Sequence, residues 1–454
     1  MLRAPPEADD HPEGDTMRAR LIFTLVLAML LAACGDDDGL FPTSTTQGAT
    51  TTAGVSTTDG ETTTTGGVTT TVGPGGESGW FRVTHDEDVF GPGSEGFYAV
   101  MWGVTAGGPG LVAVGSRHVG GDYATGAAVW TSSDGVAWSL VAQDPAVFGG
   151  WNMEEMQGVA AGPQGLVAVG AEYQGEDWDA AVWTSPDGLA WSRVSDAGVL
   201  GGPGWQRMHA VTAGGPGWVA VGHDDSGDDW NAAVWTSPDG VAWSRVPHDE
   251  ALFGGTNDQE MFGVVAAGPG LVAVGTDASA PAAWVSPDGL SWEKVPSDRF
   301  FCDPAFDGAD KVMRAVAVGP MGLVAVGYLG WYVDPDTEDD LDAAVWVSLD
   351  GLGWTLVSLD VATFGGPGNQ EMLAVTAGGP GLVAVGSDSS GGDGNAAVWT
   401  SADGTTWSRG ADDAVFGGSG YQQMTGVMAA AGGLVAVGLD ALEGSGAAAA
   451  VWLG

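Results

Sequence analysis

The tetrapeptide Val-Ala-Val-Gly occurs seven times in this chain of 454 residues, and no other feature constrains its fold as strongly. Successive copies are separated by 52 to 59 residues and begin at Val112, Val167, Val219, Val272, Val324, Val383 and Val435. A self-similar unit of about fifty residues is typical of β-propellers and solenoids, because one unit cannot bury its apolar face alone. The folded part of the chain is therefore predicted to be a single array of repeats.

Each repeat contains four short runs with strand-like composition, separated by turn residues. In the third unit, residues 208–213 and 218–222 flank a Gly-Gly-Pro-Gly turn, and residues 232–236 and 241–246 flank a Ser-Pro-Asp-Gly turn. Such clusters separate strands, and no run in the unit has the period of a helix. Four antiparallel strands in each of seven units predict an all-β fold, the seven-bladed β-propeller.

The two ends of the repeat region complement each other. The last unit stops at Gly454 without an outermost strand, whereas residues 80–83, Trp-Phe-Arg-Val, match the outermost run Trp-Ser-Arg-Val at 243–246. An open solenoid needs capping units, and none is visible in the sequence. We therefore expect the N-terminal strand to complete the last blade and close the ring.

Residue size follows the wedge shape of a propeller blade, which is narrow at the axis and wide at the rim. One position near the start of each innermost strand is always small: Gly103, Gly158, Ala210, Gly263, Ala315, Ala374 and Gly426. Each third strand carries a tryptophan: Trp130, Trp183, Trp235, Trp284, Trp346, Trp399 and Trp452. Each outermost strand carries another: Trp80, Trp138, Trp191, Trp243, Trp292, Trp354 and Trp407. We expect these rings to fill the gaps between blades as core.

The turn after the third strand has the same sequence, Ser-x-Asp-Gly-x-x-Trp, in six units. Its aspartates are Asp134, Asp187, Asp239, Asp288, Asp350 and Asp403. The motif resembles the Asp-box, Ser-x-Asp-x-Gly-x-Thr-Trp, of the sialidase-like or BNR-repeat propellers, but it is one residue shorter. That resemblance implies a fold rather than a function, because the family includes glycosidases, receptors and assembly factors. We interpret the aspartates as structural turn formers that accept backbone N–H groups.

An apolar run at residues 21–33 follows Arg18 and Arg20 and ends in Leu-Ala-Ala directly before Cys34. It is too short to span a bilayer, and its basic start and small final residues are typical of a secretory signal peptide. The cysteine makes the run resemble the lipobox of bacterial lipoproteins, which implies cleavage before Cys34 and a diacylglycerol on its sulfur. An ordinary signal peptide followed by a chance cysteine is the alternative. Because the preceding residues are acidic, we expect translation to start at Met17.

Three segments follow from these observations. Residues 1–33 form the signal peptide, and residues 34–79 are rich in threonine, glycine and serine, with few apolar side chains. Such a composition cannot bury enough apolar surface to order itself, so it predicts a flexible tether. Residues 80–454 form the propeller. The expected location is the cell envelope, with the protein anchored to the membrane by its lipid and facing outside the cytoplasm.

The charge of the chain limits its partners. It has 58 acidic and 13 basic residues and a formal net charge of -45. Such a chain repels phosphate backbones, which excludes nucleic acid, and it leaves cations, neutral glycans and basic proteins as partners. Only Cys302 remains after lipidation of Cys34, so no disulfide is expected within the folded domain. We expect a monomer.

The variable sequence of the repeats is confined to one face of the propeller. The loops between second and third strands and the connections between blades share that face, and loops on a rigid scaffold commonly carry binding sites. Tryptophan beside carboxylates and amides suits a glycan or a cationic ligand. The predicted ligand-binding residues are Trp151, Glu155, Trp178, Trp205, Arg207, Trp230, Glu260, Arg314, Trp331 and Glu371. The alternative is an acidic surface that only keeps the protein soluble.

Catalysis has a weaker basis in the sequence. The sialidase resemblance implies three arginines that bind a carboxylate, a tyrosine nucleophile paired with a glutamate, and an aspartate acid/base. Near the starts of the seven innermost strands, however, the sequence has only two arginines, Arg207 and Arg314. Paired-carboxylate hydrolysis of a glycosidic bond stays open. It would use Glu155, Glu260 and Glu371, which recur at equivalent positions, although repeat duplication explains that recurrence equally well.

One acidic run has the composition of a metal site. Asp334, Asp336 and Glu338 alternate oxygen ligands, but the run lacks the glycine and terminal glutamate of an EF-hand loop. The sequence therefore predicts a solvated charge run and no cofactor, with a calcium site as the alternative. The histidines are scattered, and none is spaced from a cysteine or a second histidine as metal ligands usually are.

The sequence thus predicts a membrane-anchored propeller that acts as a binding or interaction module for a glycan or protein ligand, without catalysis. The alternative is a glycoside hydrolase of sialidase-like architecture that uses paired carboxylates. Binding predicts that the single loss of Glu155, Glu260 or Glu371 is tolerated, whereas hydrolysis predicts that one such loss abolishes turnover.

Replacement of Cys34 tests the lipid anchor. In a bacterial host, we expect Cys34→Ser to abolish incorporation of labelled fatty acid and to release the protein from the membrane fraction, because the lipid is the anchor. Cys302→Ser is the matched control and should keep both the label and the membrane association. Label retained by Cys34→Ser would contradict the prediction.

Overall fold

The computed structural model describes residues 79–454 except for several short gaps. These gaps are 93–97, 121–124, 150–152, 176, 196, 228, 269, 302–308, 332–339, 358–359, 380, 393, 411–412 and 443–445. The predictions for the signal peptide, Cys34, the tether, Trp151, Asp334, Asp336 and Glu338 lie outside the described residues and stay predictions. Within the described part, no helix has the length and apolar character needed to cross a membrane.

The strands form seven sheets whose order from the axis outwards follows the chain, which confirms the seven-bladed β-propeller. Blade 1 comprises Ala99–Gly107, Gly110–His118, Thr125–Ser132 and Trp138–Leu140; blade 2 comprises Glu154–Gly162, Gly165–Tyr173, Trp178–Ser185 and Ser192–Arg193. Blade 3 comprises Gln206–Gly214, Gly217–Asp224, Asn231–Ser237 and Ser244–Arg245; blade 4 comprises Gln259–Ala267, Gly270–Asp277, Ala280–Ser286 and Glu293–Lys294.

The remaining blades complete the ring. Blade 5 comprises Asp310–Gly319, Gly322–Trp331, Asp340–Ser348 and Trp354–Leu356; blade 6 comprises Gln370–Gly378, Gly381–Asp388, Asn395–Ser401 and Trp407–Arg409. Blade 7 comprises Gly420–Ala430, Gly433–Leu442 and Gly446–Leu453, with Phe81–Arg82 as its outermost strand. The innermost strands of neighbouring blades contact one another in a closed cycle that leads from blade 7 back to blade 1.

The N-terminal strand closes this ring, as the sequence predicts. Phe81 pairs with Leu453 and Arg82 with Trp452 in antiparallel register. The backbone N–H of Val83 donates to the carbonyl of Val451 at 2.9 Å, which extends the pairing by one residue. The last blade therefore takes its outermost strand from the start of the folded region.

The packing between blades agrees with the predicted distribution of residue sizes. A Cβ atom at Gly158 would lie 3.0 Å from the carbonyl oxygen of His209 in the next blade, and one at Gly263 would lie 3.2 Å from Cα of Ala315. Small residues therefore allow the innermost strands to approach. Farther from the axis, the third-strand tryptophans are fully buried, and no outermost-strand tryptophan is more than 7% exposed.

Six single-turn helices occur in the described parts of the connections between blades, although the sequence shows no helical period. They are α1 (Glu87–Phe90), α2 (Pro145–Phe148), α3 (Ala197–Leu200), α4 (Glu250–Phe253), α5 (Val361–Phe364) and α6 (Asp413–Phe416). One turn is too short to produce a period in the sequence. Four of these helices begin after a described aspartate cap such as Asp144, whose side chain accepts the N–H of Ala146.

These helices join the blades through one repeated hydrogen bond. The indole N–H of a third-strand tryptophan donates to a helix carbonyl at 2.7 to 3.2 Å. The pairs are Trp130 with Val89, Trp183 with Val147, Trp235 with Val199, Trp284 with Leu252, Trp399 with Thr363 and Trp452 with Val415. The largest ring in the core therefore has its one polar atom satisfied.

Blade 5 departs from this pattern. Its connection contains a 3-10 helix at Ser297–Arg299 and a fifth strand, Phe300–Phe301, which pairs in parallel with the outermost strand Trp354–Leu356. Among the described residues this connection has no α-helix. The buried Nε1 of Trp346 has no hydrogen-bond partner within that part of the chain, so a repeated interaction is lost where the connection changes.

A pair of tryptophan substitutions measures the repeated hydrogen bond. Trp399→Phe removes both ring volume and the bond to Thr363, whereas Trp346→Phe removes ring volume alone. We expect Trp399→Phe to lower the free energy of unfolding by about 1–2 kcal/mol more than Trp346→Phe does. Chemical denaturation of the two variants checks the difference, and equal losses would contradict it.

Candidate functional site

A β-bulge at the start of every innermost strand positions the side chains at the loop-side opening of the channel. In each blade the register shifts after the repeat methionine. The extra residues are Trp102, Gln157, His209, Phe262, Arg314, Leu373 and Thr425. A bulge re-aims the side chain that it carries and is frequent next to functional sites.

The glycine of Val-Ala-Val-Gly makes this geometry accessible. A Cβ atom at Gly222 would lie 1.9 Å from the carbonyl oxygen of Arg207, a distance that no real side chain could adopt. The equivalent contact is 1.8 or 1.9 Å in all seven blades. The glycine of the repeat motif therefore allows the second strand to approach the bulge closely, while the other three residues of the motif favour a strand.

Side chains near the bulges contact each other across blade boundaries. Nδ1 of His209 lies 2.6 Å from Oε1 of Gln157, and its ring centroid lies 5.2 Å from that of Phe262. The guanidinium of Arg314 lies 4.3 Å from the centroid of Phe262. We call the whole set the channel ring: Glu155, Gln157, Arg207, His209, His223, Glu260, Phe262, Arg314, Tyr328, Glu371, Tyr421 and Gln423.

One part of the channel ring joins a charge pair to aromatic side chains. Arg207 forms an ion pair with Glu155 of the preceding blade, and its guanidinium lies 4.6 Å from the centroid of Trp178. Trp205 is 40% exposed, and its ring lies 6.5 Å from that of buried Trp230. Trp205 is therefore the member of this aromatic group that a ligand in solution reaches most easily.

A second part contains two histidines and a carboxylate, which we call the His-His-Glu triad: His209, His223 and Glu260. Nε2 of His209 lies 3.1 Å from Nδ1 of His223, and Oε2 of Glu260 lies 3.5 Å and 3.2 Å from these two nitrogens. Burial lowers the pKa of His209 to about 4, and Glu260 offsets this effect only in part. Burial opposes ionisation of Glu260, but the two imidazoles outweigh it and hold its pKa well below the usual range.

A third part surrounds Glu371. Burial raises the pKa of this carboxyl, against the opposing charge of Arg314. Nη2 of Arg314 donates to the hydroxyl of Tyr328 at 3.4 Å. In the adjoining blade, Nε2 of Gln423 donates to the hydroxyl of Tyr421 at 2.7 Å. A carboxyl whose pKa is raised by its surroundings holds its proton more tightly, which is a property required of a general acid.

The structure brings together five of the predicted ligand-binding residues in the channel ring. They are Glu155, Arg207, Glu260, Arg314 and Glu371, and Trp178, Trp205 and Trp230 lie beside them. Trp151 lies outside the described residues, and for Trp331 the structure describes the backbone strand alone.

Sequence reasoning missed His223, Tyr328, Tyr421 and Gln423. No histidine pair has the usual ligand spacing in the sequence, yet the structure brings two together: the first and second strands of blade 3 pair with Arg207 opposite His223, and His209 lies 3.1 Å from His223. The signal was available in the repeat. His223 directly follows Val-Ala-Val-Gly, and Tyr328 occupies the same position in blade 5.

The six aspartates of the Ser-x-Asp-Gly turns are occupied by hydrogen bonds within those turns. Oδ1 of Asp403 accepts the N–H groups of Thr405 and Thr406 at 2.8 Å, and these bonds lower the pKa of Asp403 to about 2. All six carboxylates accept the N–H of the residue two positions on. They lie in separate blades and do not form one site.

A polar line inside the blades supports the channel ring from behind. In blade 3, Nε2 of Gln206 donates to Asp224 at 2.9 Å, Asp224 pairs with Arg245, and Arg245 lies 5.5 Å from the ring centroid of Trp235. Blades 4, 6 and 7 repeat the glutamine, aspartate, cation and tryptophan. The line therefore connects the rim of a blade to its innermost strand.

Blade 2 replaces the glutamine of this line with Glu154. It stands opposite Glu172, which forms an ion pair with Arg193. Burial, together with the charge of Glu172, raises the pKa of Glu154 to about 7. When protonated, the Glu154 carboxyl offers a donor and an acceptor, as the glutamine does in the other blades.

Comparisons with known proteins find solved structures of low sequence identity and low TM-score. No protein-family model and no curated protein matches the chain. The α-L-arabinofuranosidase Arb93A of Fusarium graminearum is 17% identical, with a TM-score of 0.45 over 65% of this chain and 91% of that one. The sialidase of Trypanosoma rangeli is 12% identical, with a TM-score of 0.41 over 84% of this chain and 59% of that one.

A third similar structure is the periplasmic gluconolactonase of Pseudomonas aeruginosa, 14% identical, with a TM-score of 0.43 over 69% of this chain and 84% of that one. A GH74 enzyme is also among the similar structures. At such low identity the likeness concerns the fold alone.

Glu154→Gln tests the unusual carboxyl of blade 2. Because the folded state raises the pKa of Glu154 from 4.5 to about 7, the fold loses stability as the pH rises through this range, and the loss stays constant above it. We expect Glu154→Gln to raise the free energy of unfolding by about 1–3 kcal/mol at pH 8 and to have little effect near pH 4.

The reciprocal change in blade 3 is the matched control. Gln206→Glu places a carboxyl beside Asp224 and should introduce the same pH-dependent loss of stability. Denaturant titrations at several pH values measure both effects. A benefit of Glu154→Gln that does not vary with pH would contradict the assignment.

Proposed function

We propose that the loop-side opening of the channel is the active site of a hydrolase that cleaves glycosidic bonds, with Glu371 as the proton donor. The observation that carries this proposal is the position of Glu371. It is a half-buried carboxyl within the channel ring, beside Arg314, and together with burial its charge raises the pKa of Tyr328 and Tyr421. Arginine, tyrosine and amide side chains are groups that bind sugar hydroxyls.

Hydrolysis of a glycosidic bond needs two carboxyl groups with different protonation. One protonates the leaving oxygen, and the other removes a proton from the attacking water or attacks the sugar itself. Glu371 suits the first role because its environment favours the protonated form. Glu155 and Glu260 are the ring carboxylates available for the second role. Glu155, which forms an ion pair with Arg207, is the second carboxylate in one assignment.

Aromatic side chains at the same opening supply a surface for sugar rings. Trp205 exposes 40% of its surface beside the ring, and Trp178 lies against Arg207. The C–H faces of a sugar are apolar, so a tryptophan ring next to polar groups is a suitable platform for a glycan. These contacts support a glycan as the ligand class.

A non-catalytic binding module is the second candidate. It is favoured by the partners of two ring carboxylates: Glu155 is paired with Arg207, and Glu260 is held between two histidines. Carboxylates that are fixed in this way can serve to hold the ring in shape. In this case the ring would bind a glycan or a protein without turnover.

The proposed location is the cell envelope, with the chain anchored through lipid on Cys34. This rests on the sequence of residues 18–34 alone. A polymeric glycan of the cell surface or its surroundings is the substrate class that such a location would make accessible.

Glu371→Gln separates the two candidate functions. With a panel of polysaccharides and aryl glycosides, we expect the full-length chain to release reducing ends and Glu371→Gln to lower turnover by about 10²-fold or more, because the proton donor is lost. Binding of the intact polymer should remain. Glu250→Gln, an exposed position in α4, is the control that should leave turnover unchanged.

The companion variants Glu155→Gln and Glu260→Gln identify the second carboxylate. Loss of turnover in one of them, with binding retained, would assign the role. Polymer binding without released fragments in the wild-type protein would refute hydrolysis and leave the binding module as the function.

A further inference from the structure

We propose that the His-His-Glu triad, His209, His223 and Glu260, is a binding site for a divalent transition metal ion, with zinc as the expected metal. The site goes beyond the proposed hydrolysis, because metal binding can be measured without any substrate. It is formed between blades 3 and 4, and the three side chains come from three different strands.

The distances within the triad fit the coordination geometry of zinc. The three ligand atoms are separated by 3.1, 3.5 and 3.2 Å. Zinc bonds of about 2.0–2.1 Å at tetrahedral angles place neighbouring ligand atoms about 3.3 Å apart. The triad therefore already forms one face of a tetrahedron. Three protein ligands leave the fourth position for water or for an oxygen atom of a ligand.

Surrounding residues hold the imidazoles in the orientation that binding needs. With Nδ1 of His209 as the donor to Gln157 at 2.6 Å, Nε2 presents its lone pair towards the other two ligand atoms. Metal-binding histidines commonly use their second nitrogen in this way, which fixes the tautomer. The ring of His223 stacks on Trp230, with centroids 4.5 Å apart and an interplanar angle of 4°.

Hydrogen bonding alone leaves the triad incompletely satisfied. Oε2 of Glu260 is buried, has no hydrogen-bond partner among the described residues and faces the two imidazoles. If the N–H of His223 is donated to His209, no proton of the triad is left for this oxygen. A buried acceptor without a donor is costly, whereas a metal ion between the three atoms would satisfy all of them.

The donor set selects the metal. Two imidazoles and one carboxylate suit zinc, cobalt and nickel, whereas calcium prefers oxygen ligands throughout. With a metal bound, Glu260 is a ligand, which makes Glu155 the second carboxylate of the proposed hydrolysis.

Cobalt spectroscopy on the chelator-stripped full-length protein tests the site. Cobalt in a tetrahedral site absorbs visible light strongly, and zinc should displace it with a stoichiometry of one ion per chain. We expect His209→Ala, His223→Ala and Glu260→Gln each to weaken zinc binding by more than about tenfold in calorimetric titrations, and Gln157→Leu, which leaves all three ligands in place, by about tenfold.

His85→Ala and His248→Ala are the matched controls, because these histidines lie exposed on other parts of the propeller, each beside the glutamate of a single-turn helix. Both should bind zinc like the wild-type protein. Circular dichroism establishes that each variant is folded, and His223→Gln provides a polar replacement if His223→Ala fails to fold. Absence of cobalt absorption, or zinc affinity unchanged in folded triad variants, would overturn the proposal.

Discussion

The close approach between the repeat glycine and the carbonyl of the innermost strand is the contact on which the channel depends. At Gly222 the space for a Cβ is already filled by the Arg207 carbonyl oxygen, 1.9 Å from where that atom would lie. The register shift that this approach accompanies turns His209 towards the neighbouring blades. Because the contact involves backbone atoms alone, the side chains around it can differ freely between blades.

The scaffold and the site are therefore supported by different interactions within the same blade. The tryptophan, cation, carboxylate and glutamine of the polar line recur with little change, as do the hydrogen bonds from tryptophan to the single-turn helices. The bulged positions vary from Trp102 to Arg314 to Thr425. Blade 5 loses its helix contact and still holds its register, so no single interaction determines the shape of a blade.

Much of the fold could be predicted because the same sequence pattern occurs in seven units. The strand count, the ring closure at Phe81–Arg82 and the buried tryptophans all follow from period and residue size. The single-turn helices could not be predicted from periodicity, because one turn has none. Their sequence signal is an aspartate four residues before a phenylalanine, as in Asp144 and Phe148, with Leu200 in place of the phenylalanine in α3.

The candidate site could be predicted in part, for a related reason. Glu155, Glu260 and Glu371 share one position of the repeat, so comparison of the units finds them together. His223 belongs to a different strand, and its contact with His209 depends on cross-strand register and on the bulge, neither of which the spacing in the sequence reveals.

Unequal blades in a nearly symmetric frame have a consequence for any molecule that enters the channel. The seven blades share one backbone, yet at the start of the innermost strand blade 1 carries Val100 and Trp102, whereas blades 2 to 6 carry acids, amides and cations near the same point. The seven orientations that a ligand could adopt about the channel axis therefore differ in binding energy. An asymmetric ligand would therefore be bound in one rotational orientation about the channel axis. The side chains that select this orientation can be exchanged without altering the backbone that the blades share.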